Sequence, residues 1–137
     1  MRPSDDQLAA MGGTLREIDP STLQLDPEGG AVRWFLGDQG TEIFAWVRGG
    51  EQPHHIQLVF ARVSVEWSQK TGLLTGTFDA AASTAGGRFD PYLLTLGRQV
   101  DADVCRAALR LLSATRIDAR VVRPLASALE QVVNPVP

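Results

Sequence analysis

The sequence predicts an α+β domain: a curved antiparallel sheet of five to six strands over residues 22–78, packed by C-terminal helices over 98–133, with a short N-terminal helix or arm ahead of it. Three observations carry this. β-Branched and aromatic residues concentrate in short runs between residues 31 and 78, separated by turns rich in Gly and Pro. Beyond residue 98 the apolar spacing becomes helical, with Val104, Ala108 and Leu111 in one stripe and Leu125, Leu129 and Val132 in another. A chain of 137 residues, 44% hydrophobic and 21% charged, is enough for one core, and no composition break marks a second domain.

Residues 5–16 are spaced as a short helix. Ser4 or Asp5 is the N-cap, and Leu8, Met11 and Leu15 fall on one face. Gly12-Gly13 weakens it by about 1 kcal/mol per glycine, so a frayed arm is the alternative. Asp19-Pro20 breaks the chain, Thr22–Leu25 alternates, and Asp26–Gly30 turns. Val32–Leu36 and Thr41–Arg48 flank Gly37-Asp-Gln-Gly40, which reads as a hairpin. The second of these strands is apolar on both sides, as in a strand covered on both faces.

His55–Trp67 is the most informative stretch. Ile56, Leu58 and Phe60 occupy even positions, then Val63, Val65 and Trp67 occupy odd ones. A single strand of about 13 residues with a bulge at Ala61-Arg62 explains the change of parity. So does a tight reversal at Ala61-Arg62, which brings Phe60 opposite Val63, Leu58 opposite Val65 and Ile56 opposite Trp67. A two-residue loop needs positive φ, which Ala and Arg resist by about 1–2 kcal/mol each, and this tips the reading toward the bulged strand. Either way, Gln57, Val59, Arg62, Ser64 and Glu66 are left for the other face.

Ser68–Gly72 is a turn and Leu73–Phe78 the last strand. Residues 79–90 are small and low in complexity, as in a long loop, and Pro91–Leu96 packs as an irregular or short helical segment. Asp101 or Asp103 caps a helix to about Leu112. Asp118 caps another to about Val133, with Pro124 kinking or separating its first turns.

Several function classes are excluded by composition and motif. A single cysteine, Cys105, forbids an internal disulfide and a cysteine-based zinc site. No apolar run approaches the roughly 20 residues that span a bilayer. The first seven residues have no apolar core, so no signal peptide is expected and the expected location is cytoplasmic. Residues 1–51 hold four arginines against nine carboxylates, whereas residues 98–137 hold six against four. This asymmetry suits a charged protein surface, a second copy included, better than nucleic acid, which requires a basic face. One lysine against twelve arginines, with abundant Ala and Gly, matches GC-rich coding in a bacterium. The Gly-Gly pairs make neither a dinucleotide fingerprint nor a phosphate loop.

The candidate chemistry is thin. His54 and His55 point to opposite sides of a strand and do not chelate one ion, so a solvent-facing pair at a turn is expected. Cys105 lies on the apolar side of its helix and reads as buried and structural. Asp101 and Asp103 read as capping residues. Glu42 and Glu66 are the carboxylates to consider for acid–base work, but a solvated outer face is the expectation. No catalytic residue, cofactor or metal ligand is assigned.

The aromatic content points elsewhere. Trp34, Trp46 and Trp67, with Phe35, Phe44, Phe60 and Phe78, give the sheet more apolar surface than one core face uses. Either the tail helices cover one face and the N-terminal segment the other, or a partner covers the surplus; left exposed and rimmed by Arg33, Arg48 and Arg62, it fits a protein-binding patch. The expected partner-binding residues are Trp34, Phe44, Trp46, Arg48, Gln57, Val59, Arg62 and Glu66. The function expected is a non-enzymatic protein–protein interaction module (adaptor, regulator or chaperone-like) that binds a protein partner, itself as a homodimer, or both. The alternative is a small-molecule-binding or catalytic domain whose cavity, between curved sheet and helices, carries His55, Gln57, Arg62 and Glu66.

The run Arg33-Trp-Phe, Glu42-Ile-Phe-Ala-Trp46, Ile56-Gln-Leu-Val-Phe60, Val65-Glu-Trp67, Gly72-Leu-Leu-Thr-Gly and Phe78-Asp79 resembles a pattern in small, uncharacterised bacterial proteins with aromatic β-hairpins. The likeness covers residues 33–79 and implies no activity.

Overall fold

The structure, a computed structural model, describes residues 3–18, 31–47, 52–78, 94–96 and 100–135. The chain is α+β. Helix α1 (Asp5–Gly13) opens it, and a sheet follows: β1 (Arg16–Glu17), β2 (Ala31–Leu36), β3 (Glu42–Val47), β4 (His55–Phe60), β5 (Val63–Ser68), β6 (Gly72–Phe78) and β7 (Leu94–Leu96). Helices α2 (Ala102–Ser113) and α3 (Ala119–Val133) close it. The sheet is a meander in which every strand pairs antiparallel with its sequence neighbour, β1 to β7 in order. Six strands have three residues or more, and the two-residue β1 extends one edge.

Caps and turns set the ends of these elements. Ser4 caps α1 through a reciprocal pair of hydrogen bonds with Gln7. Asp101 accepts from the backbone N–H groups of Asp103 and Val104, and Asp118 from that of Arg120. Helix α3 is continuous through Pro124, so its first turns are not separated there. Gln39 (φ 59°) and Gly40 (φ 75°) reverse the chain between β2 and β3. Gly12 is the small residue that lets α1 meet α2, since a Cβ there would stand 2.0 Å from the carbonyl oxygen of Leu111.

Residues 55–67 are two strands, which corrects the preference for a single bulged one. Phe60 pairs with Val63, Leu58 with Val65 and Ile56 with Trp67. Ala61 (φ 48°) and Arg62 (φ 65°) both accept the left-handed conformation of a two-residue turn. The strain is outweighed because this register puts six apolar side chains on one buried face, whereas a slip of one residue would turn them to the other.

Two further expectations change. The sheet reaches beyond residues 22–78, to Arg16–Glu17 at one edge and Leu94–Leu96 at the other. Leu94–Leu96 is therefore a strand and not an irregular or helical segment. Its pairing with Gly76–Phe78 supplies what its own sequence does not signal. The expected strand at Thr22–Leu25 and the loop at 79–90 lie outside the described residues.

One core joins sheet to helices. Phe35, Ile43, Ala45, Ile56, Leu58, Phe60 and Val65 pack with Leu8, Met11 and Leu15, with Cys105, Ala108 and Leu111 of α2, and with Val121, Leu125 and Leu129 of α3. All seven sheet residues belong to one face by register. The opposite face takes no part in this cluster.

Candidate functional site

The face turned away from the helices is built from three cross-strand rows. One runs Trp34, Phe44, Gln57, Glu66, Leu74. Beside it lie Val32, Trp46, His55 and Ser68 on one side and Leu36, Glu42, Val59 and Ser64 on the other. Directly opposed residues of an antiparallel pair share a face, so this set follows from register alone.

Its aromatic groups form a continuous strip. The rings of Trp34 and Phe44 are parallel at 6.0 Å, Phe44 and Trp46 lie 6.2 Å apart, and Trp46 stacks on the His55 imidazole at 4.2 Å. Contacts of this kind add about 0.5–1.5 kcal/mol per aromatic pair beyond the area they bury. All four residues are half-buried.

The polar groups divide into satisfied and orphaned ones. His55 Nε2 lies 2.7 Å from Glu66 Oε1, with side chains 28% and 16% exposed. Glu42 accepts from Trp34 Nε1 at 3.3 Å. Burial between Leu36 and Val59 pushes the Glu42 carboxyl above its ordinary value, and the Trp34 hydrogen bond offsets only part of that. Gln57 is 1% exposed and Ser64 0%, yet Gln57 Nε2 and Ser64 Oγ have no hydrogen-bond partner among the described residues. An unmet buried polar group costs about 1–3 kcal/mol.

The chain matches no family model, no curated protein and no solved structure. What this face does must be argued from its own residues.

Of the expected contact residues, the structure brings Trp34, Phe44, Trp46, Gln57, Val59 and Glu66 onto one face. Gln57 and Val59 are buried there, so the accessible part of the set is the aromatic strip with His55. Arg62 lies apart, exposed in the β4–β5 turn, and Arg48 lies outside the described residues. Arg33 does not rim the strip. It faces the helix side, over the Phe35 ring, and donates two hydrogen bonds to Glu17 at 2.8 and 2.7 Å. Odd and even positions of β2 point oppositely, which separates Arg33 from Trp34.

The expected solvent-facing histidine pair is corrected as well. His55 belongs to β4 and is held by Glu66 and Trp46, while His54 Nε2 is buried without a partner among the described residues. Glu42 and Glu66 share the face but stand two strands and one row apart, each with its own partner, and Glu42 is half-buried instead of solvated. A carboxylate-held imidazole has the form of a general base. Its cross-strand neighbour Ser68, however, is hydrogen-bonded to Thr71 at 2.7 Å, and no hydroxyl bonds to His55 among the described residues. No group of three or more His, Cys, Asp or Glu side chains is placed to hold a metal ion among them either. Cys105 is buried, and burial, with Asp101 adding to it, pushes its thiol up to about 11. That is the opposite of nucleophile activation.

The alternative cavity is not where the sequence had placed it. His55, Gln57 and Glu66 lie on the face opposite the helices. A cavity of about 500 Å³ does exist on the helix side, but it is lined by residues of α1, α2 and the β4–β5 turn, and one of about 330 Å³ lies beside α3. The His55–Glu66 contact was overlooked because it is diagonal across β4 and β5. It becomes readable once the hairpin register replaces the bulge.

Proposed function

We propose that this chain is a non-enzymatic protein–protein interaction module, cytoplasmic and self-associating, that docks through the sheet face opposite its helices. The observation that carries the reading is the strip Trp34–Phe44–Trp46, in which the Phe44 ring contacts both tryptophans on a face that contributes nothing to the helix-packed core. Aromatic residues are the ones that dominate binding energy at protein interfaces. A sheet whose second face served only solvation would carry polar residues at these positions. The half-buried Glu42 beside the strip fits the polar rim of such a contact. No helix among the described residues is long and apolar enough to cross a membrane.

Affinity purification from the native host, with wild type and Phe44→Ala compared in parallel, tests this. A partner or second copy retained by wild type and lost by Phe44→Ala at unchanged far-UV circular dichroism supports the reading. Equal retention by both proteins rejects this face as the contact.

A further inference from the structure

We infer that the hollow between α1, α2 and the β4–β5 turn is a binding site for a small amphipathic carboxylate, separate from the sheet face. Its origin is geometric. The two helices touch where Gly12 meets Leu111, and the hollow is lined by Asp5 and Leu8 of α1 and by one side of α2 from Asp103 to Arg110. The β4–β5 turn forms the third wall. The resulting volume, about 500 Å³, lies within the range of about 300–1,000 Å³ typical of small-molecule sites.

The lining determines the class of ligand. Val63, Val104 and Ala107, all partly buried, supply its apolar wall, with Leu8 and Phe60 buried behind them in the core. Four charges stand at the rim, of which Asp103 and Arg106 pair at 3.0 Å. Asp5 sits in the first turn of α1, where the helix dipole favours a carboxylate. Arg110 is one turn beyond Arg106, and its guanidinium makes no hydrogen bond or ion pair among the described residues. An apolar hollow with one uncommitted guanidinium at its mouth fits an acyl chain ending in a carboxylate, the group a guanidinium binds in two-pronged fashion.

The third wall is the two-residue turn that governs the register of the sheet: Phe60, Ala61 and Val63 line the hollow there.

Octanoate titrated into the isolated full chain, followed by backbone NMR, provides the test, with octanol and octylammonium as comparison arms. Octanoate is expected to shift the amides of Leu8, Ala61 and Ala107 with saturation. Octanol should bind about tenfold more weakly, the loss expected for one charged hydrogen bond. Arg110→Gln should cost octanoate a similar factor. Ala107→Trp, which fills a partly exposed position, should abolish binding of octanoate and octanol alike. No shift in the millimolar range, equal binding to Ala107→Trp, or a preference for octylammonium (which would make Asp5 the reader) overturns the proposal. None of these outcomes bears on the aromatic strip, which lies on the other side of the sheet.

Discussion

Replacing Ala61-Arg62 by Asn-Gly distinguishes the two readings of residues 55–67 by the sign of its effect. Both positions sit in the left-handed region, at φ 48° and 65°. That conformation costs an ordinary L-residue about 1–2 kcal/mol, while Gly bears none of it and Asn less. Asn-Gly is also the preferred pair for a two-residue turn of this hand. Part of the gain is lost to the greater freedom of Gly in the unfolded chain, which offsets about 0.5–1 kcal/mol. The net expectation is a stabilisation of about 1–2 kcal/mol. For a chain of this size that is a rise in Tm of about 4–8 °C by calorimetry, with the urea midpoint rising at unchanged slope. Had the segment been one long bulged strand, neither position would hold a positive φ for Asn-Gly to relieve, and the greater freedom of Gly in the unfolded chain would leave a net cost of about 0.5–1 kcal/mol. A lowered Tm for Ala61→Asn/Arg62→Gly would therefore refute the hairpin and, with it, the direct cross-strand pairing of Gln57 with Glu66.

Other expectations follow from single contacts. Gly12→Ala forces a methyl group against the Leu111 carbonyl and should destabilise by about 1–3 kcal/mol, seen as a Tm lowered by several degrees. Leu111→Ala, emptying a fully buried site, should cost about 2–5 kcal/mol in urea unfolding, and a loss below 1 kcal/mol would contradict the packing of α2 on the core. Glu42 gives a pH dependence of definite sign. Its folded-state pKa is raised, so its contribution is fully present below the unfolded-state value of 4.5 and is lost as pH rises through the folded value. Glu42→Gln should then stabilise the protein at pH 7 relative to wild type and lose that advantage below pH 4.5; an advantage that persists at low pH would show that burial of the charge is not its origin.

Much of this architecture is legible because two periodicities are clean. Leu125, Leu129 and Val132 on α3, and the Asp101 and Asp118 caps, follow local rules that tertiary contacts do not override. The β2–β3 hairpin was equally legible from the Gly37–Gly40 turn. The β4–β5 turn was harder, since its sequence argues against its own conformation. Only the burial of six apolar side chains on one face outweighs the local preference of Ala61 and Arg62, and that sum is not a local quantity. Strand β7 carries no pattern of its own and exists through pairing with Gly76–Phe78. Within the candidate site the aromatics were readable as surplus apolar surface. The burial of Gln57 and Ser64, and the hold of Glu66 on His55, depend on three-dimensional neighbours and were not readable.

The central claim is that the strip Trp34–Phe44–Trp46 is a protein contact and that the chain associates with itself through it. The solution mass by light scattering, for wild type and for Phe44→Ala over the same concentration range, tests this most directly. The account predicts a mass above that of the 14.8 kDa chain for wild type and the monomer mass for Phe44→Ala, with the fold of both intact. A wild-type protein that is strictly monomeric over that range would contradict it.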